Sequence, residues 1–393
     1  MKKLANFQRI IHHLHRFTVV ALLVVFSGIT FADPAVEVLP TPNEGMQPRL
    51  LTGSDGTVHL MYFKKRLNNP RAREGDLYYQ QYNAQNSRWS VPVRISSQSF
   101  SYEYAIGRAA FAIDGEGRVH VAWYQSRPAQ YFYTRYDPGQ NRFEDQRSLV
   151  ADYLEGVDAG ADIAARGNFV AVVWGAGALT REEERTVFAR FSTDHGASFG
   201  EELILGDRAL GACACCSLAA DFTEEYQLKV AYRSAIDGVG RGMQILTVSP
   251  NSPVLERSRY AGVHELQQWE LSACPLSTND VVDSPQGSKW LVFETRNRIV
   301  QMGLDGVSEP ALVGEPLTET RQKNPAIGFN HRGEKLIAWG EAISYVRGGA
   351  LNMQLFDAEG NEMAKPDFAD IAVGDHSFPA VAALPDGSFL VLY

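Results

Sequence analysis

Residues 160–175 read GADIAARGNFVAVVWG: a short apolar run, a tight turn around Gly167, and a second apolar run that passes through Trp174. The same plan returns six more times. PRLLTGSDGTVHLMYF starts at Pro48, RAAFAIDGEGRVHVAWY at Arg108 and LAADFTEEYQLKVAYRS at Leu218. NDVVDSPQGSKWLVFET starts at Asn279, NPAIGFNHRGEKLIAWGE at Asn324 and FPAVAALPDGSFLVLY at Phe378. Each copy reads as a β-hairpin, with apolar residues in both arms and, in most copies, glycine where the turn needs positive φ. The starts lie roughly 45–60 residues apart, a period of solenoids and propellers.

Beyond each hairpin the alternation continues. DLYYQQYN and WSVPVRIS follow the first, QYFYTRYD and EDQRSLV the second, TVFARFST and GEELILG the third. Period-two alternation marks half-buried antiparallel strands, and four such strands repeated radially make a propeller blade. The expected fold is therefore an all-β propeller of four-stranded antiparallel blades, its strands labelled A to D from the axis outward. The hairpins count seven blades; an inserted repeat would leave six. The chain stops two strands into its last repeat, and an open edge invites aggregation. AVEVLP, from Ala35, is the expected outer strand of that final blade.

Length and repeat together argue for one domain over residues 33–393. The formal net charge of −9, without a clustered Lys/Arg surface, argues against nucleic-acid binding. At the N-terminus, a basic stretch (MKKLANFQRIIHHLHR) precedes an apolar one (FTVVALLVVFSGIT), and Thr30-Phe31-Ala32 offers small residues before Asp33. That order reads as a signal peptide over residues 1–32. Its apolar core is shorter than the roughly 18–20 residues of a spanning helix, so the mature protein is expected free of the membrane, periplasmic or secreted.

Ser192-Thr193-Asp194-His195-Gly196-Ala197-Ser198-Phe199 fits the pattern S-x-D-x-G-x-x-F, the Asp-box. Asp194 is placed to accept backbone amides of the turn, Gly196 to take a left-handed conformation and Phe199 to tuck under the hairpin. With this motif between strands C and D of a propeller repeat, the chain resembles the sialidase (neuraminidase, BNR-repeat) superfamily over nearly its whole mature length. Related turns stand at YDPGQNRF, from Tyr136, and FDAEGNEM, from Phe356. The resemblance assigns Ser192, Asp194, Gly196 and Phe199 a structural part at the rim.

It also implies an exo-sialidase-type glycoside hydrolase, or a protein otherwise directed at a glycan or small acidic ligand. Family members clamp a substrate carboxylate with three arginines, use a tyrosine activated by a glutamate, and hold an aspartate as acid/base. By position, Arg49, Arg108, Arg233 and Arg321 are the candidate substrate-binding residues. Asp158 and Asp162 are candidate acid/base groups, and Glu103 with Tyr104 a candidate nucleophile pair, although neighbours on a strand point to opposite faces. The family's F/Y-R-I-P motif is replaced by Gln47-Pro48-Arg49-Leu50, which keeps only the arginine. Such a reaction requires no cofactor.

A second constellation is absent from the sialidase pattern. Gly211-Ala212-Cys213-Ala214-Cys215-Cys216-Ser217 precedes strand A of the fourth repeat, and Leu271-Ser272-Ala273-Cys274-Pro275 that of the fifth. D–A loops of successive blades are neighbours at the channel mouth, so register alone brings all four cysteines to one face. Three readings stand open: a disulfide pinning two loops, a thiolate site for Cu or Zn, and a redox thiol pair. The disulfide expected is between a CACC cysteine and Cys274, since a Cys215–Cys216 bond would be strained. A non-catalytic propeller binding a metal or a protein partner through this face is the alternative to the hydrolase.

Overall fold

Seven separate sheets, one for each antiparallel hairpin of the sequence, form the blades. The computed structural model describes residues 35–67, 69, 71–102, 107–249, 262–306, 309–315, 319–366 and 370–393. The N-terminal segment 1–32, Glu103 and Tyr104 lie outside the described residues. The propeller itself occupies the unit Pro34–Tyr393.

Blade 3 shows the plan. Strand A (Asp162–Arg166) pairs with B (Phe169–Ala176), B with C (Thr186–Ser192), and C with a short D (Leu203–Ile204). The A strands of the other blades are Met46–Thr52, Ala110–Ile113, Ala219–Phe222, Asp280–Asp283, Gln322–Phe329 and Ala380–Ala383. The outermost strands are short or broken: in blade 2, Arg142–Phe143 and Arg147–Ser148 share the edge of strand C. Short interrupted edges limit pairing with other chains.

Side chains alternate across each blade, so the core lies between neighbouring sheets. One cluster joins Ala110, Tyr131 and Val150 of blade 2 to Ile163, Val172 and Trp174 of blade 3. Trp123, Trp174 and Trp339, which end B strands in three repeats, are buried there. Each such side chain contributes about 1.5–3 kcal/mol of apolar burial. Their recurrence thus serves packing between blades.

The ring is closed by the N-terminal segment. Val36–Leu39 adds to strand B of blade 7, Phe389–Leu392, in parallel register from Val36 opposite Phe389 to Leu39 opposite Leu392. The backbone amides of Phe389 and Thr41 donate to Ala35 and Tyr393 carbonyls at 2.8 and 2.9 Å. Among the described residues, this last sheet has three strands. AVEVLP is the outer strand, as the sequence suggests, but directly beside strand B.

At the rim, the C–D turn of blade 3 is held by side chains. The Ser198 amide and hydroxyl donate to Asp194 at 2.9 and 2.6 Å, and the Ser192 hydroxyl donates to it at 2.7 Å. His195 and Gly196 take φ of 57° and 71°, a left-handed pair that glycine tolerates at the second position. Phe199 meets Tyr133 edge-on, with centroids 4.9 Å apart. His195 Nδ1 lies 2.7 Å from Asp114 Oδ2, tying this turn to the A–B turn of blade 2. The C–D turns at Asp137 and Asp357 use the same carboxylate-to-amide bonds.

Two expectations follow. Deleting residues 35–39 bares the Phe389–Leu392 edge, so the thermal midpoint should fall by several degrees and light scattering on heating should rise; an unchanged melt would show that the closure is dispensable. The second concerns acid. Burial would raise Asp194, but hydrogen bonds from Ser198 and Ser192 outweigh it and hold the carboxyl down to about 2. A depressed folded pKa contributes stability above the unfolded value of about 3.9 that is lost as pH falls through the folded one. Asp194→Asn should therefore lower the melting temperature at neutral pH and flatten its decline between about pH 4 and 2; parallel pH profiles for variant and parent would refute this.

Candidate functional site

The A strands enclose an axial cavity of about 490 Å³, within the range of small-ligand sites. Its lining comes from all seven A strands and from the A–B turns at Gly53, Gly115 and Gly167. The cavity lies along the strands and reaches the A–B turns, at the ends opposite the D–A loops that lead into those strands.

Its charged lining is mainly acidic. Asp114, Asp162, Asp221, Asp280 and Asp283 face it, against Arg49 and Arg166. Several of these charges are paired across blades: Arg166 Nη2 meets Asp283 at 2.8 Å, and buried Lys289 bridges Asp283 and Asp221. Asp162 is held more loosely, by a longer ion pair to Arg49. Its Oδ2 accepts the Ala220 amide at 2.8 Å, while buried Oδ1 accepts no hydrogen bond and lies 3.9 Å from Arg49 Nη2. Burial raises the Asp162 carboxyl, with Arg49 opposing. A buried acceptor left without a donor costs about 1–3 kcal/mol, so this atom favours a ligand that can donate.

A bulge aims Arg49. Pairing between strands A and B of blade 1 shifts register between Met46 and Arg49, and Gln47 sits at φ 55° ahead of Pro48. The Gln47 amide donates to Ser377 Oγ at 3.0 Å and Gln47 Nε2 to the His376 carbonyl at 2.9 Å, fixing the start of blade 1 against blade 7.

The four candidate arginines do not form one clamp. Arg108 is buried, donates to the Asn279 carbonyl at 2.8 Å and stacks over Phe378. Burial, then repulsion from Arg49, lowers it to about 9. Arg49 and Arg108 thus share one neighbourhood with Asp162. Arg233 is committed elsewhere: fully buried over Trp269, it donates to the Arg241 and Glu294 carbonyls. Arg321 is exposed just before strand A of blade 6, its carbonyl accepting the Ala342 amide. Asp158 lies in the D–A loop ahead of blade 3, accepting Arg185 Nη1 at 3.3 Å, with burial raising its carboxyl. Tyr102, next to Glu103, is buried against Phe63 and His376.

All four cysteines do converge. Cys213 Sγ is 3.6 Å from Cys215 Sγ and 3.3 Å from Cys216 Sγ. Cys274 Sγ lies 3.0 Å from Glu182 Oε1, and Cys215 Sγ 4.0 Å from the same oxygen. The expected disulfide to Cys274 is not formed: every cysteine is free. Hydrogen bonding from Cys213, then Cys215, pulls both the Cys216 and Cys274 thiols down. Burial, followed by the neighbouring Cys274, raises Glu182 to about 7.

Glu182 was not foreseen from sequence. It opens a short 3-10 turn, Glu182–Glu184, in the B–C loop of blade 3. The acidic run REEER on a loop of the same face was the signal available. Arg241, from the B–C loop of blade 4, holds Glu182 Oε2 at 2.7 Å and also donates to the Ala273 carbonyl beside Cys274. The CACC loop is anchored by the Cys213 amide to the Arg233 carbonyl and by the Gly160 amide to the Ala214 carbonyl. At Gly160, any Cβ would collide with the carbonyl oxygens of Cys216 and Ala214.

No protein-family model and no curated protein matches the sequence. Among solved structures, the fold is similar to a Hadza microbial sialidase at TM-score 0.50 and 13 % identity, covering 80 % of this chain and 66 % of that one. It is also similar to Penicillium chrysogenum alpha-L-arabinanase complexed with arabinobiose, at TM-score 0.52 and 9 % identity, covering 81 % and 95 % of the two chains. The chain spans just under two thirds of the sialidase's length. The protein is a β-propeller with seven blades.

Replacing Gly160 by valine should push the CACC loop off blade 3. Native-state titration with a thiol reagent should then show the buried cysteines reacting at least tenfold faster than in the parent; equal rates would mean that this close approach does not set the loop.

Proposed function

We propose that this protein is a glycan-directed propeller that binds a neutral sugar in its axial cavity and does not carry out sialidase hydrolysis. The reading rests on Asp162 Oδ1, a buried acceptor with no hydrogen-bond donor, on the wall of a cavity of about 490 Å³. Sugar hydroxyls donate to carboxylates, and Asp162 Oδ1, without a hydrogen bond of its own, together with Arg49 supplies an acceptor and a donor at one point. Propellers of this fold serve carbohydrate chemistry in the sialidase and in the arabinanase that holds arabinobiose.

Charge argues against an acidic sugar. Five carboxylates and two guanidiniums line the cavity, and the flanking Lys289 and Arg108 still leave carboxylates in excess. A ligand carboxylate would meet repulsion there. The commitment of Arg233 to backbone carbonyls removes one arm of the three-arginine clamp. The basic-then-apolar N-terminal segment supports export to the periplasm or the outside of the cell, so a form beginning at Asp33 is the one to assay.

Calorimetric titration of the mature protein with neutral oligosaccharides, arabinobiose among them, tests this alongside a fluorogenic sialoside assay. Binding of a neutral sugar, weakened at least tenfold by Asp162→Asn with the thermal midpoint retained, is the expected result. Turnover of the sialoside, or neutral-sugar binding that Asp162→Asn and Asp280→Asn both leave intact, would overturn it.

A further inference from the structure

The cysteine face lies apart from the axial cavity: none of its residues lines that cavity. Glu182, Cys213, Cys215 and Cys274 each offer one ligand atom, and these atoms lie within 4.8 Å of one another. Three loops from two kinds of connection supply them, which argues against a chance cluster along one strand.

The spacings match a coordination shell. With Zn–S bonds near 2.3 Å and Zn–O bonds near 2.0–2.2 Å, the edges of a tetrahedron run from about 3.5 to 3.8 Å. Cys213 and Cys215 stand 3.6 Å apart, and Glu182 Oε1 is 3.0 Å from Cys274 and 4.0 Å from Cys215. These values bracket the tetrahedral edge without any bond between sulfurs. The donor set also selects the ion. Thiolates alone would suit Cu(I), whereas a carboxylate among three thiolates suits the borderline Zn(II).

The surroundings fit such a charge. Three thiolates and a carboxylate around a divalent ion carry two excess negative charges, and Arg241 sits 2.7 Å from the carboxylate oxygen that faces away from Cys274. Its Nε also donates to the Ala273 carbonyl, so one guanidinium orients Glu182 and the Cys274 loop together. Partners behind the ligands of this kind fix ligand orientation in metal sites. Lys323 of blade 6 adds a bond to the Pro275 carbonyl at 2.5 Å, tethering the loop from the other side.

We infer that Glu182, Cys213, Cys215 and Cys274 form a Zn(II) site at the channel mouth, clamping the CACC loop, the Cys274 loop and a B–C loop into one unit. Cys216, 3.3 Å from Cys213, stands outside the group whose ligand atoms lie within 4.8 Å of one another. This site is independent of sugar binding in the axial cavity.

The test uses mature protein loaded with zinc and dialysed, with metal counted by plasma mass spectrometry and free thiols titrated on the same sample. One zinc per chain is expected, with Cys216→Ser and Asp162→Asn retaining it, Cys213→Ser and Cys274→Ser losing it, and Glu182→Gln binding at least tenfold more weakly. Near-UV circular dichroism of each variant confirms a folded propeller. Replacing zinc by Co(II) should give the visible absorption of a tetrahedral thiolate centre. Zinc-loaded protein that carries no metal and shows four reactive thiols would overturn the inference. So would loss of metal in Cys216→Ser with none in Glu182→Gln, or Cu(I) binding that Glu182→Gln leaves unchanged.

Discussion

Closure of the ring is the constraint on which everything else rests. A propeller of antiparallel blades has no covalent closure, and its last sheet ends two strands after it begins. Four residues from the opposite end of the described chain, Val36–Leu39, lie against Phe389–Leu392 and supply the missing edge. Because backbone groups at a buried or paired edge must find partners, this ladder locks the first and last blades together. Blade 1 then reinforces the joint through Gln47, whose amide and side chain both reach the loop ahead of blade 7. Once the circle is fixed, each A strand is set at a defined angle around the axis.

That geometry separates two chemistries along the same seven strands. Residues within the A strands point their polar side chains into the channel, where aspartates outnumber basic groups. Residues in the loops that lead into those strands gather at one mouth, where sulfur joins carboxylate. Asp162 begins its strand only two residues after Gly160, on which the CACC loop packs. The same short stretch thus serves both environments, one through a side chain and the other through the lack of one.

The departure from a sialidase clamp has a simple physical origin. A guanidinium can hold a ligand carboxylate only if its donors are not already spent. Arg233 spends its donors on carbonyls of its own blade and the next, stacked over Trp269 in full burial. Arg108 gives Nη2 to the Asn279 carbonyl and lies over the Phe378 ring. Arg233 thereby joins blades 4 and 5, and Arg108 reaches from the start of blade 2 to the segments that open blades 5 and 7.

Fold and blade number were legible in the sequence because hairpin turns and period-two alternation are local signals repeated seven times. The convergence of CACC and Cys274 was legible too, since register around a ring places successive D–A loops side by side. Glu182 was not, because it comes from a B–C loop, and nothing in its own neighbourhood says which of three adjacent glutamates turns inward. Nor could the sequence tell a disulfide from free thiols, as both need the same proximity and differ by little more than an ångström. The arginines show the limit most clearly: sequence gives their place along each strand, and only packing decides whether their donors face a ligand or a carbonyl. Local pattern determined the blades and the mouth on which sulfur gathers; tertiary structure decided which polar atoms remain unspent, because hydrogen-bond satisfaction is settled between blades rather than within them.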